Sequence, residues 1–348
     1  MKIHIDLRKN IDESYDITFG DLPLLEFDRK VAIVTNTTIA KLHLQTLKSK
    51  VKAREIYEII LEDGEQYKNF ETINSILNKL CEFRFDRKSL LIAFGGGVIG
   101  DMTGFAAAIY QRGIDFLQIP TTLLAMVDAS VGGKTGVNNN FGKNLIGSFN
   151  QPIAVYVDQS LLKTLPKREF NSGAAEIVKM AATLDKDFFE FLESCDLNDS
   201  DDLQKAIAKS VKIKADIVSK DEKENGLRAV LNYGHTFGHI IELETGYSKF
   251  LHGECVAMGM VMANNLANLL NLITKEELKR INNLLVKFNL QTKYEVNNTE
   301  EFYNKFFMDK KTKNNKIRFV LPKSIGGFEF VDDAPKDVVI EAIKRAKI

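Results

Sequence analysis

The stretch NYGHTFGHIIE, residues 232–242, holds two of the chain's five histidines, His235 and His239, four positions apart. On a helix that spacing puts both imidazoles on one face, with Glu242 in reach. It is also the spacing of a helical zinc pair. His252 follows in LHGECVAMGM beside Glu254, and Glu176 lies upstream in GAAEIVK, again in a helix-periodic run. Imidazole nitrogens and carboxylates clustered in this way suit one divalent metal with an open position for substrate. From spacing alone, His235 and His239 are the first ligands, completed by either Glu242 or His252. His4 and His43 lie far from these motifs and read as incidental.

Two further stretches suggest anion binding. AFGGGVIGDMTGFAA follows a strand-like run and opens a helix. Gly95, Gly96 and Gly97 permit backbone conformations closed to other residues and allow a ligand to approach closely. A helix N-terminus there offers free N–H groups to phosphate. The spacing departs from G-x-G-x-x-G, but the carboxyl end of a strand is where α/β proteins bind ligands. The alternative is a tight strand-to-helix turn with no ligand. The second stretch is PTTLLAMVDASVGGKTGVNNNFGKNLIGSFNQP, 120–152, where Lys134 lies among Gly132, Gly133 and Gly136, and Lys143 lies between Gly142 and Asn144. The P-loop spacing is missing, so hydrolysis of a nucleoside triphosphate is disfavoured. Lysines held in glycine-rich turns suit a small phosphorylated or carboxylated molecule.

These residues must be positioned by two kinds of element. In the first half, KVAIVTN, REIYEIIL, SLLIAFGGG, IDFLQIPTT and IAVYVD read as short buried strands. TTIAKLHLQTLKSK and a segment from about Lys68 read as helices between them. Strand alternating with helix predicts a parallel sheet covered on both faces. After Asp158 the chain turns helix-periodic to about Asn289, and strand signals return only in NKIRFVLP and GFEFV. The reading is an N-terminal α/β domain, 1–160, and a mainly helical domain, 161–348. The methionines Met258, Met260 and Met262 read as core filling. KDEKENG (220–226) and MDKKTKNNK (308–316) read as charged surface turns, with a lysine of the latter able to fold over a site.

Composition narrows the partners. Of 348 residues, 47 are Lys or Arg and 47 are Asp or Glu, so no overall field attracts nucleic acid or a membrane surface. Three scattered cysteines argue against a disulfide framework and for a reducing, cytoplasmic setting. No apolar run approaches the ~20 residues of a spanning helix, and MKIHIDLRKNIDESYDI has no apolar signal region.

Taken together, GGGVIGDMTGFAAAIYQRGI, PTTLLAMVDASVGGKTGVNNNFGKNLIGSFNQP, GAAEIVK, LNYGHTFGHIIE and HGECVAMGM resemble the 3-dehydroquinate synthases, in order and spacing, over roughly residues 31–320. The resemblance implies a Rossmann-like NAD-binding domain, a helical domain binding Zn2+ or Co2+, and a homodimer. Carried over residue by residue, it implies Glu176, His235 and His252 as metal ligands, with His239 near the substrate instead. It implies NAD contacts in the turn Asp63, Gly64, Glu65, Gln66, Tyr67 and Lys68, and at Gly96, Gly97, Val98, Ile99, Gly100 and Asp101. Further NAD contacts are implied at Asn36, Thr121 and Thr122, at Lys134 and Lys143, and at Leu161, Leu162, Lys163 and Thr164. Asp128, Lys134, Asn144, Lys179, Lys214, Arg228, Asn232, His239 and Lys310 are implied substrate residues, with Arg112 reaching the neighbouring subunit's site.

The reaction implied is conversion of 3-deoxy-D-arabino-heptulosonate 7-phosphate to 3-dehydroquinate and phosphate. Transient oxidation by NAD acidifies a neighbouring C–H, phosphate is eliminated, the ketone is reduced again, and an intramolecular aldol step closes the ring. Lys134, Asn144 and His239 would cradle the phosphate, while Lys214, Arg228 and Lys310 would bind carboxylate and hydroxyls. Competing readings are another sugar-phosphate cyclase, such as a 2-deoxy-scyllo-inosose synthase, and a polyol dehydrogenase of the glycerol dehydrogenase type. A binding protein that had lost catalysis would have no need of the metal residues.

Overall fold

The computed structural model describes residues 12–307, 317–332 and 334–347. The chain divides into two compact units. The first comprises Met1–Pro120 and Gly133–Asp158, the second Thr121–Gly132 and Gln159–Ile348.

The first unit is built on a six-stranded parallel sheet. Its strands are β1 (Asp16–Phe19), β2 (Leu25–Asn36), β3 (Val51–Leu61), β4 (Leu90–Gly95), β5 (Asp115–Pro120) and β8 (Ala154–Val157). Their spatial order is β1-β8-β5-β4-β2-β3. β4, LLIAFG, is buried at every position, as expected of a central strand covered on both faces. Helices α1 (Thr37–Lys50), α2 (Phe70–Glu82) and α3 (Gly97–Ile109) connect the strands. Asn36 and Asn69 cap α1 and α2 by accepting from the N–H groups of Ile39 and Thr72. Ile73, Ile76 and Leu80 form the buried stripe of α2 and pack in one core with Ile99, Met102 and Ala106 of α3.

A hairpin, β6 (Lys134–Asn139) with β7 (Gly142–Phe149), completes this unit. A stretch that reads in sequence as glycine-rich turns around two lysines is therefore a paired hairpin. Two glycines let the strands close: a Cβ at Gly147 would stand 1.9 Å from the Thr135 carbonyl oxygen, and one at Gly136 2.4 Å from that of Ile146.

The second unit contains α4 (Lys167–Leu184), α5 (Lys186–Ser194), α6 (Ser200–Lys220), α7 (His235–Glu244), α8 (His252–Leu269), α9 (Lys275–Lys287), α10 (Thr299–Lys305) and α11 (Lys336–Arg345), with a small hairpin of β9 (Arg318–Pro322) and β10 (Phe328–Asp332). α8 is buried along nearly its whole length, and Met258, Met260 and Met262 fill the core as expected. α7 lies close against it because glycines line the crossing. A Cβ at Gly238 would meet the Cys255 carbonyl oxygen at 2.9 Å, and one at Gly259 that of Gly234 at 2.1 Å.

The division at residue 160 therefore needs one correction. Residues 121–132 belong to the second unit. Leu123, Ala125, Met126 and Val127 are buried there, and the bare Cα of Gly173 on α4 makes room for the backbone of Leu123 and Leu124. Among the described residues all three cysteines are free, and no helix is long and apolar enough to cross a membrane.

Candidate active site

Three segments of the second unit bring Glu176, His235 and His252 together: the middle of α4 and the first residues of α7 and α8. Glu176 Oε1 lies 3.9 Å from His235 Nε2 and 3.8 Å from His252 Nε2. These separations are the size of a coordination shell. Glu176 is 1% exposed. Lys179, one turn on, pairs with its Oε2, but the buried Oε1 has no hydrogen-bond donor among the described residues. A buried carboxylate oxygen left so is costly, and a divalent cation facing both imidazoles would satisfy it.

The outer atoms of the same rings support this fit. His252 Nδ1 pairs with Glu242 Oε1 at 3.2 Å, and His235 Nδ1 pairs with the Tyr233 carbonyl oxygen at 3.2 Å. Histidine ligands characteristically use the second nitrogen in this way, which fixes the tautomer and aims the first at the metal. The backbone holds the geometry. Gly234, at φ +79°, turns the chain into α7. Gly253 N–H donates to Ser172 Oγ at 3.1 Å, and a Cβ there would stand 1.9 Å from the Ser172 carbonyl oxygen. Arg168 grips Glu254 with two bonds of 2.7 Å, while Glu254 accepts the Leu251 N–H. The start of α8 is thereby tied to α4.

The structure gathers a different set from the helical pair expected from spacing. The His239 ring centroid is 5.5 Å from that of His235 and 6.5 Å from that of His252, but its nitrogens are outside the ligand group. A shared helix face does not make two side chains converge, and His235 turns across to α4. Glu242 serves His252 from behind and is not itself in that group.

A cationic cluster lies in the same unit. Lys179, Lys214 and Arg228 are each at most 5% exposed. Lys214 donates to the Asp128 carbonyl oxygen at 2.6 Å and to its Oδ1 at 2.7 Å. Burial alone would raise the Asp128 carboxyl, but the ammonium groups of Lys214 and Lys179 outweigh it and hold it below the usual carboxylate range. Burial, with Lys179 and Arg228 nearby, pulls Lys214 downward despite Asp128. Burial opposes the charge of Lys179 as well, yet Glu176 and Asp128 raise it.

The segment 220–226, expected to be a solvated turn, positions two of the expected substrate residues. Asp221 accepts from the N–H groups of Asn225, Gly226 and Arg228 at 2.8–2.9 Å. The Arg228 guanidinium bonds the carbonyl oxygens of Glu222 and Gly132, and Asn232 donates to Glu224 Oε1 at 2.7 Å. An Asp ahead of Asn-Gly was the readable sign of this turn.

In the first unit, Lys68 is buried and its Nζ donates to Asp101 Oδ2 at 2.6 Å and to Asn144 Oδ1. Burial alone would lower its pKa, but Asp101 and Glu65 raise it. Asn36 Nδ2 and Thr38 Oγ1 both donate to Asp63, at 2.7 and 2.6 Å, and Gly64 turns at φ +132° into the 3-10 turn Glu65–Tyr67. So Asn36 and 63–68 form one connected group, joined through Lys68 to Asp101. Gly97, Val98, Ile99, Gly100 and Asp101 make the first turns of α3, which no side chain caps. The triple glycine corrects one expectation: Gly95, Gly96 and Gly97 are absent from the positive-φ residues, and Gly96 is extended at φ −74°, ψ −173°. Gly95 is needed for packing, since a Cβ would lie 2.7 Å from Ile99 Cγ1. Positive φ occurs instead at Gly132 and Gly133, beside Lys134, and at Asn144.

The remaining expected residues are placed as follows. Lys134 is exposed at the start of β6, and Lys143 lies on β7. Among the described residues the buried Thr121 Oγ1 has no hydrogen-bond partner, while Thr122 Oγ1 accepts from Ala125 N–H. Leu161, Leu162, Lys163 and Thr164 lie in a 3-10 turn, Gln159–Thr164. Arg112 sits in a run of left-handed residues, Gln111 to Gly113. Lys310 lies outside the described residues. Sequence reasoning missed Asp221, Glu224 and Asn138 as supporting residues.

Known proteins are similar to this chain along nearly its whole length. The family model described as 3-dehydroquinate synthase N-terminal matches residues 58–172, and that described as 3-dehydroquinate synthase C-terminal matches 173–312. A 3-dehydroquinate synthase of Sulfurovum sp. is 59% identical over 345 residues, 99% of each chain. Among solved structures, a 2-epi-5-epi-valiolone synthase from Streptomyces hygroscopicus with NAD+ and Zn2+ bound is similar at TM-score 0.88 and 26% identity, covering 99% of each chain. A 2-deoxy-scyllo-inosose synthase complexed with carbaglucose-6-phosphate, NAD+ and Co2+ is similar at TM-score 0.83 and 25% identity, covering 94% of this chain and 96% of the other.

Proposed function

The chain belongs to the 3-dehydroquinate synthase family, and on that premise we propose that it converts 3-deoxy-D-arabino-heptulosonate 7-phosphate to 3-dehydroquinate and inorganic phosphate in the shikimate pathway. It is a phosphate-eliminating carbon–oxygen lyase that uses NAD and Zn2+ or Co2+. The observation that carries the reading is the Glu176, His235 and His252 cluster, with Glu242 and the Tyr233 carbonyl behind the imidazoles.

When bound, NAD supplies reversible hydride transfer, and the metal supplies Lewis-acid polarisation of substrate oxygens. The chain's own residues bind and orient. Asn36, Glu65, Lys68 and the first turns of α3 hold NAD, together with Thr121, Thr122, Lys143 and the Leu161–Thr164 segment. Lys179, Lys214 and Arg228 supply positive charge for the substrate carboxylate and hydroxyls, with Lys310 assigned to the same group. Pre-oriented cations of this kind stabilise developing charge without reorganising. Asp128 keeps Lys214 in place, and Asn232 is steadied by Glu224. Lys134, Asn144 and His239 are the phosphate-binding set. The protein works in the cytoplasm as a homodimer in which Arg112 serves the neighbouring site. The left-handed backbone at Gln111 and Arg112 is the kind of constrained turn that presents a functional side chain.

The test is phosphate release from the heptulosonate 7-phosphate by purified protein with Zn2+ and only trace NAD+. Many turnovers per NAD+ without NADH accumulation is the expected result. A folded, metal-loaded protein that instead cyclises glucose 6-phosphate, or reduces NAD+ stoichiometrically with a polyol, overturns the reading.

A further inference from the structure

Asn138 lies on β6 where the hairpin register shifts between Val137 and Asn139, and three of its polar groups are engaged. Its backbone N–H donates to the Lys68 carbonyl oxygen at 2.8 Å. Its Oδ1 accepts the Asn144 backbone N–H at 2.9 Å, and its Nδ2 donates to Glu65 Oε1 at 2.7 Å. Lys68 Nζ in turn donates to Asn144 Oδ1. The bonds form a closed circuit: Asn138 to Lys68 backbone, Lys68 ammonium to Asn144 side chain, Asn144 backbone to Asn138 side chain. Glu65 hangs on it as a side arm.

Two features of the circuit need an external hold. Asn144 has φ +53°, a left-handed conformation that costs most residues with a Cβ and that asparagine enters more readily, so a bond to its N–H selects it from the alternatives. The Asn138 Oδ1 bond clamps the N–H of that residue. Glu65 stands in a short 3-10 turn of three residues, too short to hold itself. Asparagine suits the place because its amide accepts on one side and donates on the other. Neither aspartate nor leucine does both.

We infer that Asn138 is a positioning residue that sets the Asn144 backbone for the substrate phosphate and the Glu65 carboxylate for the cofactor. Residues on the hairpin and in the 65–68 turn thereby share one hydrogen-bonded frame. This rests on the functional reading above, in which Glu65 and Lys68 serve NAD and Asn144 serves the substrate.

Two variants separate the arms. Asn138→Asp keeps the acceptor for Asn144 but sets a second carboxylate against Glu65. Asn138→Ala removes both arms. The expected result is an approximately 10-fold higher KM for NAD in Asn138→Asp with kcat within about 3-fold of the parent. For Asn138→Ala, a similar KM rise is expected with kcat lowered by about 10- to 100-fold. Thermal unfolding midpoints and bound metal should stay at parental values in both. Parental kinetics in Asn138→Ala overturn the inference. So do equal losses of kcat in the two variants that track a fall in unfolding midpoint, which would mark a merely structural residue. If Asn138→Ala fails to fold, Asn138→Asp carries the test by its KM-against-kcat split. Parent protein without cyclase turnover would instead sink the functional reading. The Glu65 arm would then stand or fall on calorimetric NAD+ titration of parent and Asn138→Asp.

Discussion

Glu242 Oε1 lies 3.2 Å from His252 Nδ1, while Nε2 of the same ring faces Glu176 Oε1 at 3.8 Å. One imidazole is held between two buried carboxylates, one on each nitrogen. A carboxylate behind a histidine ligand fixes the ring and raises its basicity, and losing such a partner typically costs about 10- to 100-fold in metal affinity. Glu242→Ala should therefore retain its fold and weaken Zn2+ binding by about that factor in chelator competition. Unchanged affinity would remove Glu242 from the metal's support.

His252 and His239 should separate cleanly. His252→Ala deletes a ligand and should leave the purified protein without stoichiometric zinc by elemental analysis. His239→Ala should keep its zinc and lose turnover, by about 10-fold or more, because its nitrogens lie outside the ligand group. Zinc loss in both variants alike would restore the helical pair.

Asp128 carries a pH signature. Its carboxyl is held below the ordinary value by Lys214 and Lys179, against the opposing effect of burial. A depressed folded-state pKa stabilises the fold above the unfolded value of about 3.9, and that stability is lost as pH falls through the folded value. Asp128→Asn should thus lower stability at pH 7, where it leaves a buried ammonium without its counter-charge. The loss should be about 2 kcal/mol, less than for a fully buried pair because 27% of the Asp128 side chain is exposed. Urea unfolding at pH 7 and again below pH 4 checks this: the gap between parent and variant should narrow in acid. A gap independent of pH would refute the pairing.

Gly234 should not tolerate a methyl group. It sits at φ +79° between Tyr233 and His235, and a Cβ would stand 2.6 Å from Met260 Cγ and 2.8 Å from the Val256 carbonyl oxygen. Gly234→Ala should lower the unfolding midpoint and, by displacing His235, weaken metal binding. A variant with parental midpoint and parental zinc affinity would show that α8 yields to the added atom.

Much of this molecule was readable along the chain. Periodicity carries the elements: an unbroken apolar run makes β4 a central strand, and the spacing of Ile73, Ile76 and Leu80 makes one face of α2. The motifs marked the chemistry, and the three residues that their resemblance implies as metal ligands, Glu176, His235 and His252, lie within reach of one another in the structure. Spacing alone offered His235 and His239 as a pair, whereas the structure sets His235 against Glu176 and His252. Spacing reports which face a side chain occupies, and says nothing of what stands opposite that face.

Only the tertiary structure decided the rest. It paired His235 with Glu176, 59 positions away in the chain, because glycine-lined contacts bring the starts of α7 and α8 to α4. It assigned residues 121–132 to the helical unit, since their apolar side chains are buried there. It drew Asp221 and Glu224 out of an apparently solvated turn and Asn138 out of a glycine-rich stretch, because a hydrogen bond needs a distance and an angle that no sequence interval specifies. Residue types determined which chemistry was available; packing determined which atoms share it.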